Sequence, residues 1–444
     1  MSDATSEGAG EAVGEAMGDG HGMHQLVARL YPLCRSITGE GLRSTLEVLR
    51  REIGVEPHRI ASGTRVLDWT VPREWSIRDA WVEDPAGRRV IDFRASNLHV
   101  VSYSTPVDRT MPLAELKEHL HTLPEHPDWV PYRTSYYSES WGFCASQRLV
   151  DSLPEGDYRV RIDSTLADGR LDWGELLIPG GGREEMLLSC HVCHPSLAND
   201  NLSGIAVASR LARLLAEGPR PRYSYRFLFI PGTIGSITWL ARNEDRVDRI
   251  RHGLVLSGLG DPGGFTWKRS RRGDTEIDRA VAHVLGRSGR PHQVVDFSPY
   301  GYDERQFCSP GFDLPVGRLS RTEFATYPEY HTSADNLELV VPAQLQESLE
   351  LGLEVVQVLE GNRRYLNLSP KGEPQLGRRG LYGQIGGRSD AEERQMAMLW
   401  VLNQSDGDHS LLEVAERSGL PFALLGEVAA TLEGAGLLSR TGTA

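Results

Sequence analysis

Lysine is nearly missing from this chain of 444 residues: only Lys117, Lys268 and Lys371 stand beside 45 arginines. The skew reads as high-GC, bacterial coding and not as an arginine-built site. Cysteine is sparse and odd in number, five in all, which gives no disulfide framework. No stretch reaches the roughly 18 apolar residues a membrane helix needs, so a spanning protein is excluded. Positive charge is short as well. A net charge of −13 argues against a general nucleic-acid binder, because phosphate contacts need a basic surface. Residues 1–22 hold five acids, many glycines and no Lys or Arg, without the basic start and apolar stretch of a secretory signal. They read as a disordered acidic tail. A soluble, cytoplasmic chain of two to three domains is expected.

What is present falls into blocks. Residues 23–53 have helical apolar spacing, broken near Pro32 and restarted around Gly39. Residues 65–173 change texture, with short β-rich runs at 89–93, 98–103 and 158–162 set off by Pro, Gly and Asp. They form an inserted, mostly β domain. From Glu175 apolar strands at 186–190, 225–230, 254–259 and 314–319 alternate with helical patterns at 202–216, 236–242, 277–285 and 343–360. Alternation of this kind predicts an α/β sheet covered on both faces, with residues 23–64 and 174–368 as one domain. Sites on such sheets gather beyond the carboxyl ends of strands, which points to the segments after Cys190, Ile230 and Leu259. A Pro/Gly/Arg linker, 369–387, precedes three short helical patterns in a last domain, 375–444, that reads as a winged helix. With six Arg against nine acids, this domain is suited to protein interaction or dimerisation better than to DNA.

The densest polar cluster, Cys190-His191-Val192-Cys193-His194-Pro195-Ser196-Leu197-Ala198-Asn199-Asp200, follows a buried strand and leads into a helix. Three chemistries compete for it. C-x-x-C-H spells covalent haem attachment, but nothing in the chain predicts export, and Cys190 closes an apolar strand. A thioredoxin-like pair of Cys190 and Cys193 would open a helix directly, whereas Pro195 and a polar loop intervene. Two histidines three apart and an aspartate at a helix start supply the nitrogen and oxygen ligands that suit zinc. A second cluster, Pro328-Glu329-Tyr330-His331-Thr332-Ser333-Ala334-Asp335, favours the third reading, since His331 followed by Asp335 fits a ligand beside a supporting carboxylate.

The whole set of motifs includes Arg35-Ser36-Ile37-Thr38-Gly39, Trp141-Gly142-Phe143-Cys144, Asp303-Glu304-Arg305-Gln306-Phe307 and Pro374-Gln375-Leu376-Gly377-Arg378-Arg379-Gly380-Leu381 beside the two clusters above. It resembles the zinc aminopeptidases with two co-catalytic metals. More closely, it is similar to bacterial aminopeptidase-like proteins that carry an inserted β domain and a C-terminal winged helix, often in polysaccharide or natural-product biosynthesis. The resemblance covers residues 23–440. It implies a mixed-sheet zinc-exopeptidase sandwich binding one or two Zn²⁺. It also implies a metal ligand at His191 with His194 as rival, a bridging carboxylate at Asp200 often followed by a cis peptide bond, a late ligand at His331, and a further carboxylate at Asp261 unless that residue only shapes its turn.

Departures from the resemblance are as informative. Gly232 stands where a glutamate is expected, Tyr302 where a serine is usual and Gly258 where a cysteine is usual. Replacement carboxylates for proton transfer are sought in Asp303, Glu304 and Glu329, with Glu323 nearby. Arg305 and Arg321, for a substrate carboxylate, and Tyr137 and Tyr302 are the substrate-binding candidates, and Tyr136, Tyr137 and Trp141 are candidates for covering the pocket. The expected function is a zinc-dependent amide hydrolase acting on a small aminoacyl or peptidyl substrate of a biosynthetic pathway. Two alternatives remain: a non-hydrolytic reaction on the altered site, and a retired enzyme that binds or scaffolds. No membrane or nucleic-acid partner is expected, and a homo-oligomer is admissible.

Overall fold

The computed structural model describes residues 7–323, 325–381 and 391–441. Contacts divide it into two compact units, Met1–Gly273 with Arg290–Glu350, and Asp274–Gly289 with Leu351–Ala444. Among the described residues no helix is long and apolar enough to cross a membrane.

The first unit is built on an eight-stranded mixed sheet. Its centre is four parallel strands in the order Ser224–Ile230, Glu185–His191, Ile250–Leu256 and Val316–Ser320. Glu185–His191 is buried at every position, because the sheet is covered on both faces and no residue can alternate outward. Antiparallel strands flank this centre: Arg170–Ile178 with Glu56–Ala61 on one side, and Phe265–Lys268 on the other, where His292–Val295 completes the edge. The four-residue strands Phe265–Lys268 and His292–Val295 are too short to show a period in the sequence. Helix Gly204–Glu217 turns a fully buried face of Ile205, Ala208, Leu211 and Ala212 to the core. Helix Ile234–Asn243 follows the strand Ser224–Ile230 directly.

The chain start differs from expectation. Residues 1–6 lie outside the described residues, but the first helix runs Glu7–Leu30, so residues 19–22 belong to it. The cause is a buried stripe of Met23, Val27 and Leu30, extended by buried Gly20 and an ion pair of Asp19 with Arg210 at 2.8 Å.

Within the same unit, residues 74–167 fold into a second, antiparallel sheet in the order Arg89–Asp92, Glu74–Glu83, Asp157–Ala167, Val107–Pro112. Its own apolar core includes Val82, Ile91, Met111, Phe143, Tyr158 and Val160. One excursion of this module reaches the large sheet's loops. The Val130 amide donates to Ser333 Oγ at 3.0 Å, Val130 O accepts from the Ser333 amide at 2.8 Å, and the Tyr132 amide donates to His331 O at 2.8 Å.

The second unit holds helices Ala391–Gln404, Leu411–Ser418 and Phe422–Gly434 with a three-stranded antiparallel sheet, Asp406–Ser410, Arg364–Asn367 and Leu438–Thr441, which is a winged helix. Ser410 and Glu413 form a capping box at the second helix, which stops at Gly419 in the left-handed region (φ 69°). Helix Glu276–Arg287, assigned from sequence to the α/β domain, belongs to this unit. Glu276 accepts from Asn362 Nδ2 at 2.7 Å, Arg279 pairs with Glu413 and Glu416, and Arg287 donates to Gly419 O at 2.6 Å.

Candidate metal centre

The site grows from the end of the strand Glu185–His191. Its last residue, His191, points into a loop held by Arg35, whose buried guanidinium donates to His194 O and Pro195 O, both at 2.8 Å, and to Leu30 O at 2.6 Å. Such a fork serves three carbonyls at once. The loop enters a π turn, Ala198–Ser203, containing a cis peptide bond between Asp200 and Asn201. Asp335 pins this turn: its carboxylate accepts the amides of Asn199 at 2.5 Å and Asp200 at 3.0 Å. Asn201 and Asn199 tie it to the loop after the strand Ile250–Leu256 through Leu256 O, Gly258 N and Gly260 N.

Asp200 is thereby fixed at the centre of three imidazoles. His191 Nε2 lies 2.7 Å from Oδ1, His331 Nε2 3.0 Å from Oδ2, and His194 Nε2 3.8 Å from Oδ2. The Tyr302 hydroxyl donates to Oδ1 at 2.9 Å, and its ring stacks on His191 at 4.6 Å. Donor atoms of His191, His194 and Asp200 all fall within 4.8 Å of one another, the one such group among the described residues. His331 adopts a left-handed backbone (φ 56°), and Tyr132 packs edge-on to it and to His194.

Burial alone would raise the Asp200 carboxyl, but His194 and His191, with the bonds from His191 and His331, hold it well below the carboxylate range. Burial pushes His194 down to about 3, so its imidazole is neutral and able to ligate. Burial, then the Asp200 charge, raises Tyr302 well above an ordinary phenol and keeps its proton. Burial likewise raises Asp303, whose Oδ1 accepts from Thr233 N at 2.7 Å and Ser236 Oγ at 2.8 Å. Its Oδ2 is buried with no hydrogen-bond partner. A cavity of about 190 Å³ joins these groups, lined by the three histidines, Tyr302, Asp303, Gly232, Cys193, Tyr132 and Tyr136 among others.

Other sequence candidates lie elsewhere. Asp261 accepts from Asn199 Nδ2 at 3.0 Å, from Gly263 N at 2.9 Å and from Thr322 Oγ1, so it braces two loops and takes no place in the ligand group. Glu304, fully buried, pairs with Lys268 at 2.9 Å and does not line the cavity. Its neighbour Asp303, the N-cap of the short helix Glu304–Phe307, lines the cavity instead. Glu329 is absent from the lining; its carbonyl accepts the Thr332 amide and hydroxyl. Arg321 is spent on Gly263 O at 3.0 Å and Glu347 at 3.1 Å. Arg305 also lies off the lining, with its Nε buried and without a hydrogen-bond partner. Tyr137 is 53 % exposed, because its left-handed backbone (φ 62°) turns it away from the cavity that Tyr136 lines. Tyr132 and the brace at Arg35 were not singled out from sequence, although Arg35 stands in a quoted motif.

Sheet, site and cavity define the class, an aminopeptidase-like zinc-exopeptidase fold with a winged helix. A zinc aminopeptidase from Bacillus subtilis superposes with a TM-score of 0.56 at 14 % identity, covering 76 % of this chain and 94 % of that one. A peptidase M28 precursor from Shewanella amazonensis gives 0.56 at 12 %, covering 79 % and 96 %. The chain belongs to the family described as a domain of unknown function (DUF4910), whose model matches residues 24–362, and a winged helix-turn-helix model matches residues 363–440. It is 52 % identical over 400 residues to a Clostridium acetobutylicum protein provisionally described as a polysaccharide biosynthesis protein with aminopeptidase-like domain, covering 90 % of this chain and 92 % of that one. A crystal structure from the same species, provisionally described as a peptidase, superposes with a TM-score of 0.93 at 48 % identity, over 98 % of this chain and 100 % of that one.

Proposed function

We propose that this protein is a zinc-dependent hydrolase that cleaves an amide of a small, amino-acid-bearing molecule. The observation that carries the reading is the convergence of His191, His194 and His331 on one buried carboxylate, at a cavity that also holds Asp303. The donor set, imidazole nitrogen with one carboxylate, fits zinc, and the three close donors His191, His194 and Asp200 would leave a fourth position for water or substrate. His191, His194 and Asp200, with His331 beside them on Asp200 Oδ2, would hold zinc, which would supply a Lewis acid for an amide carbonyl and lower a bound water's pKa to around 7. Proton transfer falls to Asp303. Its Oδ1 is fixed by Thr233 and Ser236 while Oδ2 is uncommitted, and burial strengthens its hold on a proton, the direction a base needs. Oδ2 takes the proton from water and returns it to the leaving amine. Tyr132 and Tyr136 wall a space about the size of one aminoacyl group. The name of the Clostridium acetobutylicum relative supports a substrate from polysaccharide or related biosynthesis.

The deciding experiment pairs metal content with turnover of aminoacyl anilides by untagged protein purified without chelator. Activity that disappears with chelator, returns with Zn²⁺ and is lost in a folded His331→Ala variant supports the reading. Turnover surviving either treatment would sink it.

Gly232 favours a second reading, in which the altered site carries out a reaction other than hydrolysis. A Cβ at 232 would meet Cys193 Sγ at 3.5 Å and His191 Cβ at 3.8 Å, ordinary contacts, so a side chain has room and none is present. Under this reading Gly232→Glu raises amide turnover and abolishes the native reaction. If the substitution changes neither, position 232 is not the missing group.

A further inference from the structure

We infer that this site holds a single metal ion, and that Tyr302 occupies the place a second would need. The inference rests on the zinc-dependent reading above and concerns the number of ions. The donors are few. His191, His194 and Asp200 are the one group of three close ligands among the described residues, and His331, 3.0 Å from Asp200 Oδ2, stands outside it. Three donors serve one tetrahedral ion with a water. A second ion sharing Asp200 needs further ligands on the Oδ1 side.

That side is closed. Oδ1 already faces His191 at 2.7 Å, and the Tyr302 hydroxyl donates to it at 2.9 Å from a ring stacked on the same imidazole. A phenol that presents its hydrogen to the carboxylate repels a cation there, and its ring fills the adjoining volume. Nearby carboxylates do not compensate. Asp335 is turned to the amides of Asn199 and Asp200, Asp261 to Asn199, Gly263 and Thr322, and Asp303 is not part of the ligand group. Gly232, on the cavity lining, contributes no side chain. A Cβ at 258 would meet Asn199 Nδ2 at 3.5 Å.

The test is zinc stoichiometry, read without reference to activity. Full-length protein is stripped with chelator, titrated with Zn²⁺ in a calorimeter and checked by elemental analysis. About one equivalent per chain is expected. Tyr302→Phe, which keeps the ring, stays at about one, and Tyr302→Ser combined with Gly232→Glu rises to about two, since space and a carboxylate are supplied together. Two equivalents on the unaltered chain overturn the inference and leave amide hydrolysis standing; none overturns both. A folded double variant that still takes one removes Tyr302 from the explanation. Should that variant not fold, the unaltered chain and Tyr302→Phe still decide the count.

Discussion

Asp303 and Glu304 are neighbours in sequence with opposite occupations. Asp303 shares a cavity with three histidines, so Asp303→Asn is expected to lower kcat by roughly 10²–10⁴ with the thermal midpoint nearly unchanged, measured by steady-state kinetics beside calorimetry. Glu304 neutralises Lys268 in the interior, where the pair is 0 % and 3 % exposed. Glu304→Gln leaves an ammonium without its counter-charge, and denaturant unfolding should show a loss of about 3–5 kcal/mol. If instead Glu304→Gln is as stable as the parent and inactive, the two residues have been assigned the wrong way round. Sequence could not separate them, because both follow Gly301-Tyr302 and both are acids. The partner that decides the matter, Lys268, lies 36 positions away. Tyr136 and Tyr137 make the same point. One positive φ puts one tyrosine on the cavity and the other in solvent, and no residue type announces it.

Elements were easier to read than residues. The strands Glu185–His191 and Ser224–Ile230 are visible as short, mostly apolar runs, and the helices Gly204–Glu217 and Phe422–Gly434 as apolar periods. The strands Phe265–Lys268 and His292–Val295 are not legible in the sequence, because four residues show no period. Nor does periodicity predict which unit claims a helix, which for Glu276–Arg287 is settled by three polar bonds. The strand Ile250–Leu256 carries a consequence for acid stability. His252 is buried with neither ring nitrogen hydrogen-bonded, edge-on to Tyr223 at 4.9 Å, and burial pushes its pKa down to about 3. Above about pH 6.5 the imidazole is neutral folded or unfolded and adds no pH dependence. As pH falls from there towards 3, only the unfolded chain takes the proton, and stability drops by about 1.4 kcal/mol per pH unit from this residue. Unfolding midpoints across that window should therefore flatten in His252→Phe; an unchanged slope would assign the acid sensitivity to other groups.

At the scale of the whole molecule, the winged helix is the feature most open to misreading. Its shape suggests DNA, yet residues 375–444 carry six Arg and nine acids within a chain of net charge −13. We expect no binding to a generic duplex by fluorescence anisotropy even at low salt, where phosphate contacts are strongest. Tight, salt-sensitive binding would return the unit to the regulators. The fold class was legible over most of the length because the motifs sit at loop ends that the sheet brings together. The reaction was not legible, since it depends on which of several acids faces the cavity.

The contact of Val130 with Ser333, beside His331, spans 203 positions of chain. During synthesis the wall of the cavity therefore leaves the ribosome long before the imidazole it supports. A nascent protein halted near residue 320 lacks His331, one of the imidazoles around Asp200 in the proposed zinc site. Long-range closure of this kind is slow, because loop entropy is lost before the contacts form. Stalled chains ending near residue 320 are expected to bind zinc far more weakly than released ones. Equal affinity would mean that the late histidine contributes little to holding the metal.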